Sequence, residues 1–249
     1  MTYTKYSASG NDFVIFHSFV EKDFTEDAIK LCNRTEGIGA DGFVAVLPCD
    51  GADFKWQFRN SDGSDAAMCG NATRAVAHYA YNNNLAPAHM KFMTEAGLIE
   101  SKVDGNIVET QMTEPKIIKE PFEQEGFTWF LIDTGVPHLV ALTDDLNNYD
   151  HDLCAKMRYE HNANVNFAKV ENTPSGKIIK VRTYERGVEG ETLACGTGMV
   201  ACFLRALDLG LVEEKTFVYP KSGEELTISK INGKVYFKGA VKKVFTATI

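Results

Sequence analysis

The sequence has no surplus of positive charge, no long apolar run, no Cys-x-x-C pair and no two histidines spaced to share a metal. Its 26 Lys and Arg residues stand against 34 Asp and Glu, a formal charge of −8. Nucleic-acid phosphates demand a concentrated cationic surface, so no nucleic-acid partner is expected. No apolar stretch approaches the roughly 18 residues that a bilayer-crossing helix needs, and Met1 to Asp12 lack the charged and apolar regions of a signal peptide. The expectation is a cytoplasmic protein with no membrane partner. The six cysteines, Cys32, Cys49, Cys69, Cys154, Cys195 and Cys202, are scattered, as are the six histidines. No metal site is predicted, and the thiols are expected to be mostly reduced. A pyridoxal-phosphate lysine motif and a phosphate-cradling glycine loop are also missing, so no cofactor is expected.

What is present is enough apolar residue, 44% of 249, to bury a large core, with roughly 70 to 75% of the unfolded surface lost at this size. Short β-branched and aromatic runs predict strands at Asp12 to His17, Asp41 to Leu47, Phe54 to Arg59, Thr128 to Asp133 and Lys177 to Tyr184. Helical spacing is confined to a few places. The clearest is Gly70 to Tyr81, with Ala72, Ala75, Val76, Tyr79 and Ala80 inward; its partner is Gly196 to Leu209, with Gly210 as a stop. At an offset of about 125 residues the chain repeats itself. Gly10-Asn-Asp-Phe-Val-Ile meets Gly135-Val-Pro-His-Leu-Val, and Thr25 to Arg34 meets Asp150 to Tyr159. Asp41-Gly-Phe-Val meets Val165-Asn-Phe-Ala, Phe58-Arg-Asn meets Tyr184-Glu-Arg, and Met68-Cys-Gly-Asn meets Ala194-Cys-Gly-Thr. Five elements in one order imply a duplication.

The expected fold is α/β (α+β), two pseudo-symmetric domains, each a bent and mostly antiparallel sheet or barrel wrapped around a central helix. Thr113, Glu114, Pro115 and Pro121 break both patterns near Met112 to Pro121. The predicted halves are residues 1–113 with 240–249, carrying Cys69, and residues 114–239, carrying Cys195. Asn232-Gly233 predicts a hairpin between Leu226-Thr-Ile and Val235-Tyr-Phe.

Cys32, Cys154 and Cys202 fall within apolar helical patterns and read as core, and Cys49 reads as a loop residue. Cys69 and Cys195 differ, because the repeat pairs them and each precedes a glycine that opens a helix. A helix start favours a thiolate and offers unpaired N–H groups, here of Gly70, Asn71, Gly196 and Thr197, to a carboxylate. Inverting an amino-acid α-carbon requires removing a proton from one face and returning one to the other. One cysteine per half supplies that pair, and the helix-start N–H groups would stabilise charge moving onto the substrate carboxylate. The residues therefore point to a cofactor-independent amino-acid racemase or epimerase.

Ser9-Gly-Asn-Asp-Phe-Val, Gly37-Ile-Gly-Ala-Asp-Gly, Asn60-Ser-Asp-Gly-Ser with Cys69-Gly-Asn-Ala-Thr-Arg, Gly135-Val-Pro-His, and Tyr184-Glu-Arg-Gly with Glu191-Thr-Leu-Ala-Cys-Gly-Thr-Gly span nearly the whole chain. Together they resemble the diaminopimelate epimerase family. The resemblance implies interconversion of LL- and meso-diaminopimelate in lysine and peptidoglycan precursor synthesis by a cytoplasmic homodimer, with Cys69 and Cys195 as base and acid. It also implies that Asn11, Asn60, Asn164, Glu185 and Arg186 hold the substrate, beside the N–H groups of Gly70, Asn71, Gly196 and Thr197. These residue types suit a diamino dicarboxylate, since Glu and Asn oxygens accept from ammonium groups and Arg grips a carboxylate. His138 either orients the site or satisfies a turn. Two positions depart from some members, which have Asn in place of Val136 and Gln in place of Gly42. The alternatives are a proline or hydroxyproline racemase, and a non-catalytic small-molecule binder or phenazine-biosynthesis-like relative. The first leaves the Asn, Glu and Arg set without a distal ammonium and carboxylate, and a pure binder needs no paired thiols.

Overall fold

The computed structural model describes residues 1–66 and 68–249. The chain divides into two compact units, Met1–Gln111 with Lys238–Ile249, and Met112–Phe237. The first unit runs β1 (Thr2–Ala8), β2 (Asn11–His17), α1 (Thr25–Cys32), β3 (Gly42–Leu47), β4 (Phe54–Asn60), α2 (Gly70–Asn82), β5 (His89–Thr94), β6 (Gly97–Asp104) and β7 (Ile107–Gln111). There follow β8 (Lys116–Gln124), β9 (Phe127–Asp133), β10 (Pro137–Leu142), α3 (His151–His161), β11 (Asn164–Thr173), β12 (Gly176–Glu185), β13 (Gly190–Thr192), α4 (Gly196–Asp208), β14 (Lys215–Tyr219), β15 (Leu226–Ile231) and β16 (Lys234–Ala240). The last strand, β17 (Lys242–Thr248), belongs to the first unit and pairs antiparallel with β1.

Both units use one pairing scheme. In the first, β1–β2, β3–β4 and β5–β6 are antiparallel, while β2–β3 and β4–β5 are parallel. In the second, β9–β10, β11–β12 and β14–β15 are antiparallel, while β10–β11 and β12–β14 are parallel. Parallel neighbours need a crossover rather than a tight turn, and each parallel pair is bridged by one helix. Among the described residues the sheets stay open rather than closing into barrels.

Helix α2 is buried along its whole length from Gly70 to Ala80, not on one face as the five inward positions of its sequence suggest. The sheet bends around it. Ala72, Ala75, Ala77 and Ala80 keep the helix narrow enough for Phe13, Ile15, Val44, Trp56, Phe58 and Phe92 to close on it. The opposite faces of β2 and β3 are covered by α1 through Phe24, Ala28, Leu31 and Cys32. In the second unit Cys154 and Met157 of α3 cover Leu139, Val165 and Phe167 in the same way.

Local chemistry sets the element ends. Helix α1 stops at Cys32, because the Asn33 side chain accepts from the N–H groups of Thr35 and Glu36 and competes with the next turn. Gly210 ends α4 as predicted, at φ +67° with its N–H donating to the Leu207 carbonyl. Asn232 and Gly233 both have positive φ, the requirement of the predicted hairpin turn.

The ladders also refine the repeat. Val14 pairs with Phe43 and Phe43 with Arg59, while Leu139 pairs with Val165 and Val165 with Tyr184. Phe43 and Arg59, rather than Asp41 and Phe58, are thus the counterparts of Val165 and Tyr184. The offset of 125 residues between Val14 and Leu139 falls to 122 at β3, where the connection from α1 (residues 33–41) is longer than that from α3 to β11 (residues 162–163), and returns to 125 at Arg59 and Tyr184. On the corrected register Phe13, Gly42 and Asn60 correspond to His138, Asn164 and Glu185.

Candidate active site

In the first unit Cys69 is the N-cap of α2, extended at φ −151° and ψ 116°, and its carbonyl accepts from Thr73 N–H at 2.9 Å. It is half-buried. Gly70 and Asn71 therefore occupy the first turn, where N–H groups have no acceptor within the helix. The Asn71 amide donates to Asn11 Oδ1 at 2.7 Å. Asn11 opens β2 because Ser9 and Gly10, both at positive φ, form the tight turn from β1. A serine in the left-handed region is unfavourable, and here its hydroxyl accepts from the buried Arg74 guanidinium at 2.6 Å. Arg74 also donates to Asn71 Oδ1 at 2.8 Å. Asn60 ends β4 and is exposed, with its amide on Ser64 Oγ at 3.0 Å.

Behind Asn11 lies an ion cluster. Asn11 donates to Asp41, Arg34 grips Asp12 with two bonds of 3.0 and 3.1 Å and also binds Asp41, and Lys5 reaches Asp12 at 3.0 Å. Burial alone would raise the Asp12 carboxyl, but Arg34 and Lys5 outweigh it and hold the group below its ordinary range. Gly42 is confined by the same strands. A Cβ there would lie 2.6 Å from the Phe58 ring and 3.2 Å from the Arg59 carbonyl, so Phe58 fills the space a larger residue would occupy.

In the second unit Cys195 is the N-cap of α4 at φ −120° and ψ 110°, and its carbonyl accepts from Met199 N–H at 3.0 Å. Gly196 and Thr197 take the first turn. Cys195 is buried, with its Sγ 3.5 Å from Thr197 Oγ1. Thr197 is held twice, by Thr134 Oγ1 donating to its carbonyl and by His138 Nε2 at 2.9 Å from its hydroxyl. His138 is fully buried on β10, and burial pushes its pKa down to about 3, so the ring is neutral. Asn166 Nδ2 lies 3.1 Å from His138 Nδ1 and donates to the Leu139 carbonyl at 2.9 Å. Its Oδ1 accepts from Thr183.

Asn164 opens β11, and its Oδ1 accepts from the Arg186 backbone N–H at 2.8 Å. Glu185 ends β12 and accepts from Thr192 Oγ1 at 2.5 Å. The exposed Arg186 guanidinium turns to the Asn162 carbonyl and side chain at 3.0 and 3.2 Å. Within each unit, then, Asn11 reaches the start of α2 through Asn71, and Asn164 lies 3.4 Å from the His138 ring that holds Thr197 of α4, whereas Asn60, Glu185 and the Arg186 side chain bond to Ser64, Thr192 and Asn162. Sequence reading missed Ser9, Arg34, Asp41, Arg74, Thr134 and Asn166. Arg74 had a signal, a charged residue inside an otherwise apolar helical pattern.

The remaining cysteines contrast with the pair. Burial pushes the Cys32 and Cys154 thiols up to about 12 and raises Cys202 as well, so these are inert core groups. Cys49 sits in a loop.

Two repeats, each a bent open sheet around a helix that begins at Cys-Gly, define a recognised fold class. It is shared with a Bacillus anthracis phenazine biosynthesis protein of the PhzF family, at TM-score 0.73 and 16% identity over 100% of this chain and 99% of that one. A hydroxyproline epimerase from Agrobacterium vitis, solved with bound trans-4-hydroxy-L-proline, has TM-score 0.72 and 14% identity over 99% and 91%. At such identities the likeness shows the fold alone. Sequence carries the family: the model for diaminopimelate epimerase matches residues 3–118 and 130–244. A diaminopimelate epimerase of Nitratiruptor sp. is 55% identical over 98% of this chain and 97% of its own, and one of Helicobacter pylori is 42% identical over 98% and 94%. The chain belongs to the diaminopimelate epimerase family.

Proposed function

We propose that the protein interconverts LL- and meso-2,6-diaminopimelate without a cofactor, with Cys69 and Cys195 exchanging the roles of base and acid. The observation that carries the reading is the placement of each thiol at the N-cap of a buried helix in a chain of this family. Helix-start N–H groups of Gly70, Asn71, Gly196 and Thr197 receive the carboxylate of the reacting centre, where charge develops as the α-proton leaves. One thiolate takes that proton, and the other thiol returns one to the opposite face. Asn11, Asn60, Asn164, Glu185 and Arg186 meet the remaining ammonium and carboxylate groups, with Val136 and Gly42 offering backbone rather than side-chain contacts. The functional halves are residues 1–113 with 240–249, and residues 114–239. The protein acts in the cytoplasm as a homodimer on the route to lysine and peptidoglycan precursors. Its family membership favours this reading over a proline-type racemase or a non-catalytic binder.

Incubation with LL-diaminopimelate in deuterated water, with nothing else added, is expected to give meso product labelled at the inverted α-carbon. A folded sample that produces neither inversion nor label overturns the reading. Sedimentation as a monomer at micromolar concentration would remove the homodimer.

A further inference from the structure

The hydrogen bonds under α4 have only one consistent direction. The Leu139 carbonyl can only accept, so the Asn166 atom 2.9 Å from it is the amide nitrogen. That nitrogen also lies 3.1 Å from His138 Nδ1, and as an amide NH2 cannot accept, Nδ1 must. The proton of the neutral ring is then on Nε2. Two groups lie near Nε2: Asn164 Nδ2 at 3.4 Å and Thr197 Oγ1 at 2.9 Å. Asn164 is fixed the other way round, its Oδ1 taking the Arg186 backbone N–H, so its nitrogen is a donor that cannot receive the Nε2 proton. Nε2–H therefore donates to Thr197 Oγ1. The hydroxyl's own proton is left to point elsewhere, and Cys195 Sγ lies 3.5 Å away.

We infer that Asn166 is a positioning residue: it locks His138 in the Nε2–H tautomer, which turns the Thr197 hydroxyl into a donor to the Cys195 sulfur. A hydroxyl donating to sulfur favours thiolate over thiol, so the network assists the base form of one cysteine. The proton order runs Asn166 to His138 to Thr197 to Cys195, with no group changing its charge. Space in the network is fixed by Gly198, where a Cβ would stand 2.3 Å from Asn166 Oδ1 and 3.2 Å from the His138 ring. Among the described residues no counterpart exists under α2. The positions corresponding to His138, Asn166 and Thr183 are Phe13, Val44 and Phe58. The relay's catalytic meaning rests on the proposed two-thiol reaction, but its existence does not.

Long-range 1H–15N correlation of the full-length protein reads the tautomer directly, and the Nε2–H form is expected for His138. Asn166→Asp, which can only accept, is expected to reverse it to Nδ1–H. In a Cys69→Ser background, iodoacetamide alkylation of Cys195 at neutral pH is expected to slow about tenfold in Thr197→Val, the loss of one hydrogen bond to a charged group. Thr197→Ser, which keeps the hydroxyl, should retain the rate. An Nδ1–H tautomer in the unaltered protein, or alkylation equally fast in Thr197→Val, overturns the inference, and the latter holds even where Asn166→Asp does not fold. Because neither readout uses substrate, failure of α-carbon labelling with both readouts as expected would remove the reaction and leave the relay standing.

Discussion

Around Cys69 the helix supplies the donors, to the β1–β2 turn and the first residue of β2. Asn71 and Arg74 of α2 bind Ser9 and Asn11, while the strands packed on that helix present Phe13, Val44 and Phe58. Around Cys195 the arrangement is reversed. The positions that match Arg74 and Ala72, counted from the cysteines, are Val200 and Gly198, and the strands supply His138, Asn166 and Thr183 instead. The duplicated backbone has kept the thiol at a helix start in both halves, but one start is supported by a permanent cation and the other by a neutral imidazole. Symmetry of the scaffold therefore does not make the two thiols chemically equivalent.

The strongest way to break the comparison is to remove the thiols one at a time. If two bases are needed, Cys69→Ser and Cys195→Ser should each lower conversion of LL- to meso-diaminopimelate by about 10²- to 10⁴-fold, the usual worth of a positioned acid or base. Chiral chromatography of the product measures it. A variant within tenfold of the parent would mean that its half serves binding and not proton transfer. A smaller effect tests the helices themselves. Gly198→Ala drives a methyl into Asn166 and should destabilise by about 3 kcal/mol, the upper range for overpacking, whereas Ala72→Gly at the matching place should cost only about 1 kcal/mol of helix propensity. Denaturant unfolding that gave equal values would show that the second helix start has room the distances deny.

The neutral imidazole makes a third difference, this time in acid. His138 takes no proton in the fold until about pH 3, but in the unfolded chain it takes one near 6.5. Its native pKa is depressed, so the unfolded state gains the proton first and stability falls as pH drops below about 6.5. From pH 7 to 5 the loss from this one group is about 2 kcal/mol. His138→Gln should flatten the unfolding free energy against pH by that amount; Phe13 contributes nothing at the matching position, and the first unit's own term of this sign comes from His78 on α2, whose pKa burial also lowers. An unchanged slope would mean that the ring is charged or reached by water.

Much of this was readable in the residues. The five-element repeat, the two Cys-Gly helix starts and the Asn232-Gly233 turn are set by local spacing and backbone chemistry, which a linear sequence carries. The register of β3 was not, because a longer connection between α1 and β3 shifts the offset there by three residues without altering the apolar pattern. Nor could the sequence place Asn166 under His138, a contact made across a parallel ladder between residues 28 apart. Asn60 and Arg186 show the opposite limit: their types fit a ligand, yet here the Asn60 amide is held by Ser64 in its own loop and the Arg186 guanidinium by Asn162 at the end of α3.

The smallest expected effect separates the outer helices of the two repeats. Helix α3 is capped by Asp150, whose carboxylate accepts from Leu153 N–H at 2.7 Å. Helix α1 begins instead at Phe24, which makes no side-chain cap bond and lies 1% exposed among Phe16 and Phe43. One start is held by its own N-cap carboxylate; the other buries its N-cap ring and leaves Asp23, one residue earlier, to accept from the Thr25 N–H at 3.0 Å. Asp150→Ala should cost about 1 kcal/mol, the ordinary worth of a cap, and the helix-start amides of α3 should exchange faster in deuterated water. Phe24→Asp would supply the missing cap to α1 but remove a core ring, and large-to-small core changes cost about 3 to 5 kcal/mol. The added cap cannot recover that, so the variant should be markedly less stable. A Phe24→Asp protein as stable as the parent would show that capping, not burial, limits the first helix and that the two repeats are closer in design than their packing indicates.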